Sequence, residues 1–259
     1  MRITYARGVR VGALTIDPDG VVPVAFWTHR PPRRPTARRV LCARALAADW
    51  AGTLGLPYHH GSVAAGMRVE LLPTGYGPGG AAVLLTQAGR RTLVVGPTTE
   101  SLEPRTVDQL VLAAPAAVAP PPDDWLQTLA VSTAPSRAVV PDSGAAQVLV
   151  DALTAHNVSW SGPAWLGGAR RGGQVRVALS GRGLALDLRP SPPLTWLARY
   201  ASQVQPEGVS VHGPRAHALA AMLQQAGLPV SVIHGPLQLM LTGSGTAPGH
   251  HVSSKDSRA

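Results

Sequence analysis

Side chains able to do chemistry are unevenly spread along this chain. Nine histidines include His29 at the end of an apolar run, the pair His59-His60, and His212 followed by glycine. Imidazoles are the commonest metal ligands and acid–base groups near neutral pH. Directly after His29 comes a run holding Arg30, Arg33, Arg34, Arg38 and Arg39, whose guanidinium forks suit phosphate and carboxylate oxygens. The loop Gly75-Tyr-Gly-Pro-Gly-Gly80 looks like a phosphate cradle but lacks the Gly-Lys-Ser/Thr ending and the helix a nucleotide loop needs, so it reads as a structural turn. His59 and His60 are adjacent, their rings point apart in extended chain, and a surface loop is expected. Ser132, Ser143 and Ser180 sit in no nucleophile-elbow pattern. Cys42, between Leu41 and Ala43, reads as a small buried residue rather than a nucleophile. Trp125, Trp160, Trp165 and Trp196 read as core or interface rather than a base-stacking platform.

The basic excess is the strongest bulk property. With 23 Lys and Arg against 14 Asp and Glu, the net charge is +9, and Lys255 is the single lysine. A polyanion such as nucleic acid fits that charge. A GC-rich genome would also replace lysine by arginine, although codon bias does not create an excess of positive charge. The 259 residues, 45% hydrophobic, are ample for a core and exclude a largely disordered chain. No apolar run reaches the ~18 residues of a membrane span, so no membrane association is expected. The first residues, Met1-Arg-Ile-Thr-Tyr-Ala-Arg7, lack the apolar core of a secretory signal, which makes a cytoplasmic protein the expectation. One cysteine excludes an intrachain disulfide framework and a cysteine-based zinc site.

The elements that must position these groups are short. Residues 9–16 and 21–28 read as strands, the first closed by Asp17-Pro-Asp-Gly20 and the second ending in Trp27-Thr-His29. The stretch 30–39, rich in proline, fits neither a helix nor a central strand, and 43–53 predicts a short helix. Strands follow at 67–72, 81–86, 92–95 and 107–113, then a proline-rich connector at 115–122. After it, strand and helix alternate. A strand is expected at 138–140, a helix at 145–155 opened by Asp142-Ser-Gly144, and a hairpin from 174–179 and 184–188. A helix at 193–205 and a strand at 209–211 come next. Pro214 then stands at the start of a helix carrying Leu219, Met222, Leu223 and Ala226 on one stripe, ahead of a last strand at 230–233.

Several landmarks fall in the order of a known family. Val69-Glu-Leu-Leu-Pro-Thr-Gly-Tyr-Gly-Pro-Gly-Gly-Ala-Ala-Val83 resembles the L-x-P-A-G-H-x-L-G-S-A-Q segment of metallo-β-lactamase-fold nucleases of the β-CASP type. Those include ligase-associated DNA exonucleases and RNA 3′-processing enzymes. Arg91-Thr-Leu-Val-Val-Gly-Pro97 is similar to their strand ending in Gly-Asp, and 107–115 to their next strand. Residues 22–29 resemble the strand leading into the metal motif H-x-H-x-D-H, and Val209-Ser-Val-His-Gly213 the final strand, His-Gly and helix.

The resemblance implies an α/β fold, an αββα sandwich of metallo-β-lactamase type with a short α/β insert. It divides the chain into a first half at 1–115, a shortened insert at 116–173, a part completing the sandwich at 174–241, and a disordered tail at 242–259. It also implies a dinuclear zinc site for phosphodiester hydrolysis, and there the chain departs from the pattern. Pro31, Arg33 and Arg34 stand where the first motif needs His, Asp and His; Tyr76 replaces a ligand histidine, and Pro97 a bridging aspartate. Only His29 and His212 keep ligand-like positions, and two imidazoles without carboxylates cannot hold a zinc pair.

The expectation is therefore a pseudoenzyme with no catalytic residues, no bound metal and no cofactor. His29, Tyr76, Pro97 and His212 would be vestigial metal-motif positions, with Arg30, Arg33, Arg34, Arg38 and Arg39 taking phosphate where the metals stood. Its partners would be nucleic acid, DNA ahead of RNA, and/or an active nuclease, ligase or helicase in DNA repair or nucleic-acid processing. Two alternatives stand beside it. One is a divergent phosphodiesterase using a single metal at His29 and His212 with Asp108 or Asp187. The other is a scaffold whose basic surface docks an acidic protein.

Overall fold

The computed structural model describes residues 2–30, 36–47, 52–117, 124–131, 136–166, 173–190 and 192–233. Two large sheets pack face to face. The first runs in chain order through β1 (Ile3–Tyr5), β2 (Val9–Val11), β3 (Leu14–Ile16), β4 (Val22–Trp27), β5 (Ala37–Ala43) and β6 (Thr53–Leu56). β1 to β3 pair antiparallel and β3 to β6 parallel. The second contains β7 (Ser62–Ala64), β8 (Met67–Pro73), β9 (Ala81–Gln87), β10 (Arg90–Val95), β11 (Gln109–Ala113), β16 (Gly208–His212) and β17 (Val230–Val232), in the order β17-β16-β11-β10-β9-β8-β7.

Side-chain alternation sorts the apolar residues into layers. Phe26, Leu41, Val69, Leu71, Val83, Leu85, Val94 and Val111 face inward between the sheets. The opposite faces of β8 to β11 and β16 present Leu72, Leu84, Leu93, Leu110, Leu112 and Val211 to two helices, α4 (Leu194–Val204) and α5 (Ala216–Gln225). On the far side of the first sheet, Ala25, Trp27 and Cys42 pack under Leu46 of α1 (Arg44–Ala47). β9 is buried on both faces, which is why Ala81-Ala-Val-Leu-Leu85 is continuously apolar rather than alternating. The architecture is an α/β sandwich, two sheets packed face to face with helices on their outer faces, carrying a short α/β insert.

That insert has its own core, from Leu129 to Leu188. It comprises α2 (Trp125–Val131), β12 (Ser136–Val139), α3 (Ser143–Ala155), β13 (Trp160–Ser161), a 3₁₀ turn at Ala164–Leu166, β14 (Val175–Ala178) and β15 (Leu184–Ala185). Its four strands pair in the order β13-β14-β12-β15, all parallel. The expected hairpin at 174–188 is thus replaced by two strands on opposite sides of β12, and both belong to the insert. The insert boundary at 173 is displaced accordingly, and the sandwich resumes only at α4. Gly183 permits the arrangement: a Cβ there would collide with the Arg137 carbonyl oxygen of β12.

Three other expectations are corrected. The proline-rich run 30–39 leads into β5, a central strand that begins at Ala37, because its prolines lie before the ladder rather than within it. The helix expected at 43–53 shrinks to α1, followed by the strand β6. Residues 9–16 fold as a hairpin rather than one strand, with Gly12 at φ +60 in the turn. The tail expected at 242–259, with Lys255, lies outside the described residues.

Leu112 is fully buried between β11 and the two outer helices. Replacing it with alanine should destabilise the fold by about 2–5 kcal/mol, read as a shift in the midpoint of equilibrium urea unfolding.

Candidate functional site

The four metal-motif positions converge. His29 follows β4, Tyr76 sits in the turn between β8 and β9, Pro97 follows β10, and His212 ends β16. All four line one cavity of about 450 Å³ at the edge of the sandwich. Tyr5, Asp17, Asp142 and Arg189 share its walls, together with Pro115, Pro190, Pro192 and Pro214.

At its floor, β3 and β4 end side by side. Asp17 leaves β3 with a left-handed φ of +46, a conformation that aspartate tolerates better than most residues. Its carboxylate accepts the Thr28 backbone N–H at 2.8 Å and the Thr28 hydroxyl at 2.5 Å. His29 Nδ1 lies 3.1 Å from the same hydroxyl oxygen and 3.8 Å from the carboxylate. With its proton given to Asp17, the Thr28 hydroxyl oxygen can accept from His29 Nδ1. Desolvation raises the Asp17 pKa, and the His29 charge and the Thr28 donors oppose that rise.

One wall is the junction with the insert. The Tyr76 hydroxyl donates to Asp142 Oδ2 at 2.8 Å, and Asp142 Oδ1 accepts the Ala145 N–H at 3.0 Å as N-cap of α3. Both side chains are buried. Burial and the Asp142 charge drive the Tyr76 phenol far above its ordinary value. Arg30 extends the junction: its N–H donates to the Ser143 hydroxyl at 3.2 Å, and its guanidinium lies 5.1 Å from the Trp165 ring centroid. On the opposite wall, His212 stands 5.6 Å from the Tyr5 ring, and burial lowers its pKa to about 4. Arg189 is held in a fork by Asp187, with contacts of 2.8 and 2.6 Å.

Two zinc ions do not fit these residues. Pro97 offers no donor, and the Tyr76 hydroxyl is buried against a carboxylate. Among the described residues no three His, Cys, Asp or Glu side chains are grouped to hold an ion. The single-metal alternative loses its proposed carboxylates as well. Asp108 precedes β11, at the end opposite Ala113, and accepts the Arg91 N–H at 2.6 Å. Asp187 is engaged by Arg189.

The arginine run does not gather at this edge. Arg30 does, whereas Arg38 and Arg39 are exposed near the start of β5. Arg39 pairs in register with Val24, five residues before His29, so the two lie about 15 Å apart along the strand direction. The parallel pairing of β4 and β5 separates them, because both strands end at the cavity and begin away from it. Arg33 and Arg34 fall outside the described residues. The cation that does line the cavity is Arg189. It, Asp17, Asp142 and Tyr5 are the site residues sequence reading missed. Asp17 and Asp142 were visible only as turn and cap residues.

Solved structures similar to this chain include the following two. One is a protein of unknown function from Enterococcus faecalis V583, at 8% identity over 82% of this chain and 79% of that one, with a TM-score of 0.49. The other is the CmlA beta-hydroxylase E377D mutant, at 11% identity over 84% of this chain and 44% of that one, with a TM-score of 0.45. No family model matches the sequence, and no curated protein is similar to it.

Two outcomes follow from the geometry. Gly144, inside α3, has no room for a Cβ, which would lie 2.5 Å from the Tyr76 ring and 2.7 Å from its carbonyl oxygen. Gly144→Ala should therefore lower the thermal midpoint, although alanine in a helix ordinarily stabilises by about 1 kcal/mol. His212 has a folded pKa near 4, so the unfolded chain binds more protons below pH ~6.5. Stability should be full above that pH and fall towards pH 4, by up to about 3 kcal/mol. His212→Gln should flatten this limb in urea titrations at stepped pH.

Proposed function

We propose that this chain is a catalytically inactive relative of the metallo-β-lactamase-fold nucleases. In this reading it is a non-catalytic subunit that holds nucleic-acid backbone beside an active nuclease, ligase or helicase in DNA repair or nucleic-acid processing. The observation that carries the reading is the meeting of all four metal-motif positions on one cavity whose groups cannot form a zinc pair. A scaffold that keeps its site architecture while losing the donors is what a lapsed hydrolase would leave behind.

The contact surface for nucleic acid is the exposed start of the first sheet rather than the cavity. Arg38 and Arg39 are exposed there and make no ion pair among the described residues. Arg7 reaches the same end through a hydrogen bond of 3.5 Å to the Val21 carbonyl. Unpaired guanidinium groups gain most from phosphate, since binding releases condensed counterions without breaking an existing pair.

Two assays test this. Elemental analysis after purification with Zn²⁺ and Mn²⁺ should find less than stoichiometric metal, and nuclease assays in either ion should show no cleavage. Stoichiometric zinc with cleavage that depends on His29 would sink the reading. In fluorescence anisotropy, binding of a DNA oligonucleotide should weaken steeply with salt. The Arg38→Ala/Arg39→Ala double variant should reduce the log–log salt slope by about 2. No binding at low salt would favour the scaffold for an acidic protein.

A further inference from the structure

The cavity is charged in the opposite sense to the chain as a whole. Its walls carry Asp17 and Asp142, and Arg189, the arginine lining it among the described residues, is held by Asp187. His212 is neutral at physiological pH. The positive end of α3, which would otherwise favour an anion, is capped by Asp142 itself. The Tyr76 hydroxyl spends its proton inside the wall, on Asp142. Carboxylates from two walls therefore line the space. An anion entering here would meet two carboxylates.

We infer that this cavity is a binding site for an organic cation bearing several N–H donors, an alkylammonium or guanidinium group. Such a group adds positive charge beside two buried carboxylates, and its N–H groups match their oxygens. Tyr5 and Tyr76 line the same space, where aromatic rings favour a cation, and the proline and alanine walls suit an alkyl chain. A volume of about 450 Å³ lies within the range of small-molecule sites. A metal ion fits less well, because both oxygens of each aspartate already accept a hydrogen bond and no third ligand joins them. The inference does not depend on nucleic-acid binding, which uses arginines elsewhere on the surface.

The probes are agmatine, a free cation carrying both groups, and N-acetylarginine amide, the same guanidinium as a peptide would present it. Calorimetric titration into the intact protein should show saturable binding of one or both at one site per chain, and the tighter of the two names the source. Asp17→Asn and Asp142→Asn each keep a hydrogen-bond acceptor, and each should weaken binding at least about tenfold. Asp151→Asn removes an exposed carboxylate of α3 and should leave affinity unchanged. Circular dichroism of each variant separates lost affinity from lost fold. If one aspartate variant does not fold, the other decides. The inference is overturned if neither probe saturates, if Asp151→Asn weakens binding as much as the cavity variants do, or if inorganic phosphate competes for the site.

Discussion

The buried hydrogen bond from Tyr76 to Asp142 joins the two bodies of this molecule. Tyr76 belongs to a turn of the sandwich and Asp142 caps the long helix of the insert, so this contact, with those of Arg30 to Ser143 and Trp165, fixes the insert against the cavity. It is also costly to lose. A buried carboxylate without its donors would carry an unmet charge, and the glycine at 144 leaves no gap into which the tyrosine ring could retreat. A phenol and a carboxylate tie the turn and the insert together here. A hydroxyl used to hold the wall in this way cannot serve as a metal ligand.

The electrostatic layout has the same origin. Parallel strands bring their C-terminal ends to one edge, and this edge collects His29, Asp17, Pro97 and His212. The arginines that dominate the charge lie largely elsewhere, Arg38 and Arg39 at the starting ends of the same sheet. Among the described residues, Arg38 and Arg39 are exposed away from a hollow whose lining includes two carboxylates. Net charge describes the first and says nothing of the second.

Much of this was legible in the sequence wherever local chemistry alone decides structure. Val69 to Leu72, Ala81 to Leu85 and Leu110 to Leu112 are apolar runs bounded by turn residues, and they form the buried heart of the second sheet. The amphipathic stripe through Leu219 and Leu223 became α5, and Asp142 opened α3 as its type suggests. Cys42 is buried, with its thiol pushed up to about 12. What failed were placements that depend on distant partners. The strands at 175–178 and 184–185 look like a hairpin because a glycine-rich turn separates them, and only β12 sliding between them decides otherwise. Asp17 reads as one more turn residue until β4 brings Thr28 and His29 beside it. Arg189 sits in a proline-rich stretch with no pattern at all, and its role as the cavity's cation comes from tertiary folding.

His29, Tyr76, Pro97 and His212 line one cavity whose side chains do not suit a pair of zinc ions. The most direct measurement is diffraction from crystals soaked in Zn²⁺, with anomalous data collected on both sides of the zinc edge. The expected result is an intact hydrogen bond between Tyr76 and Asp142 and no anomalous peak among His29, Tyr76, Pro97 and His212. A pair of strong peaks a few Å apart within that cavity, with the imidazoles turned towards them, would contradict it.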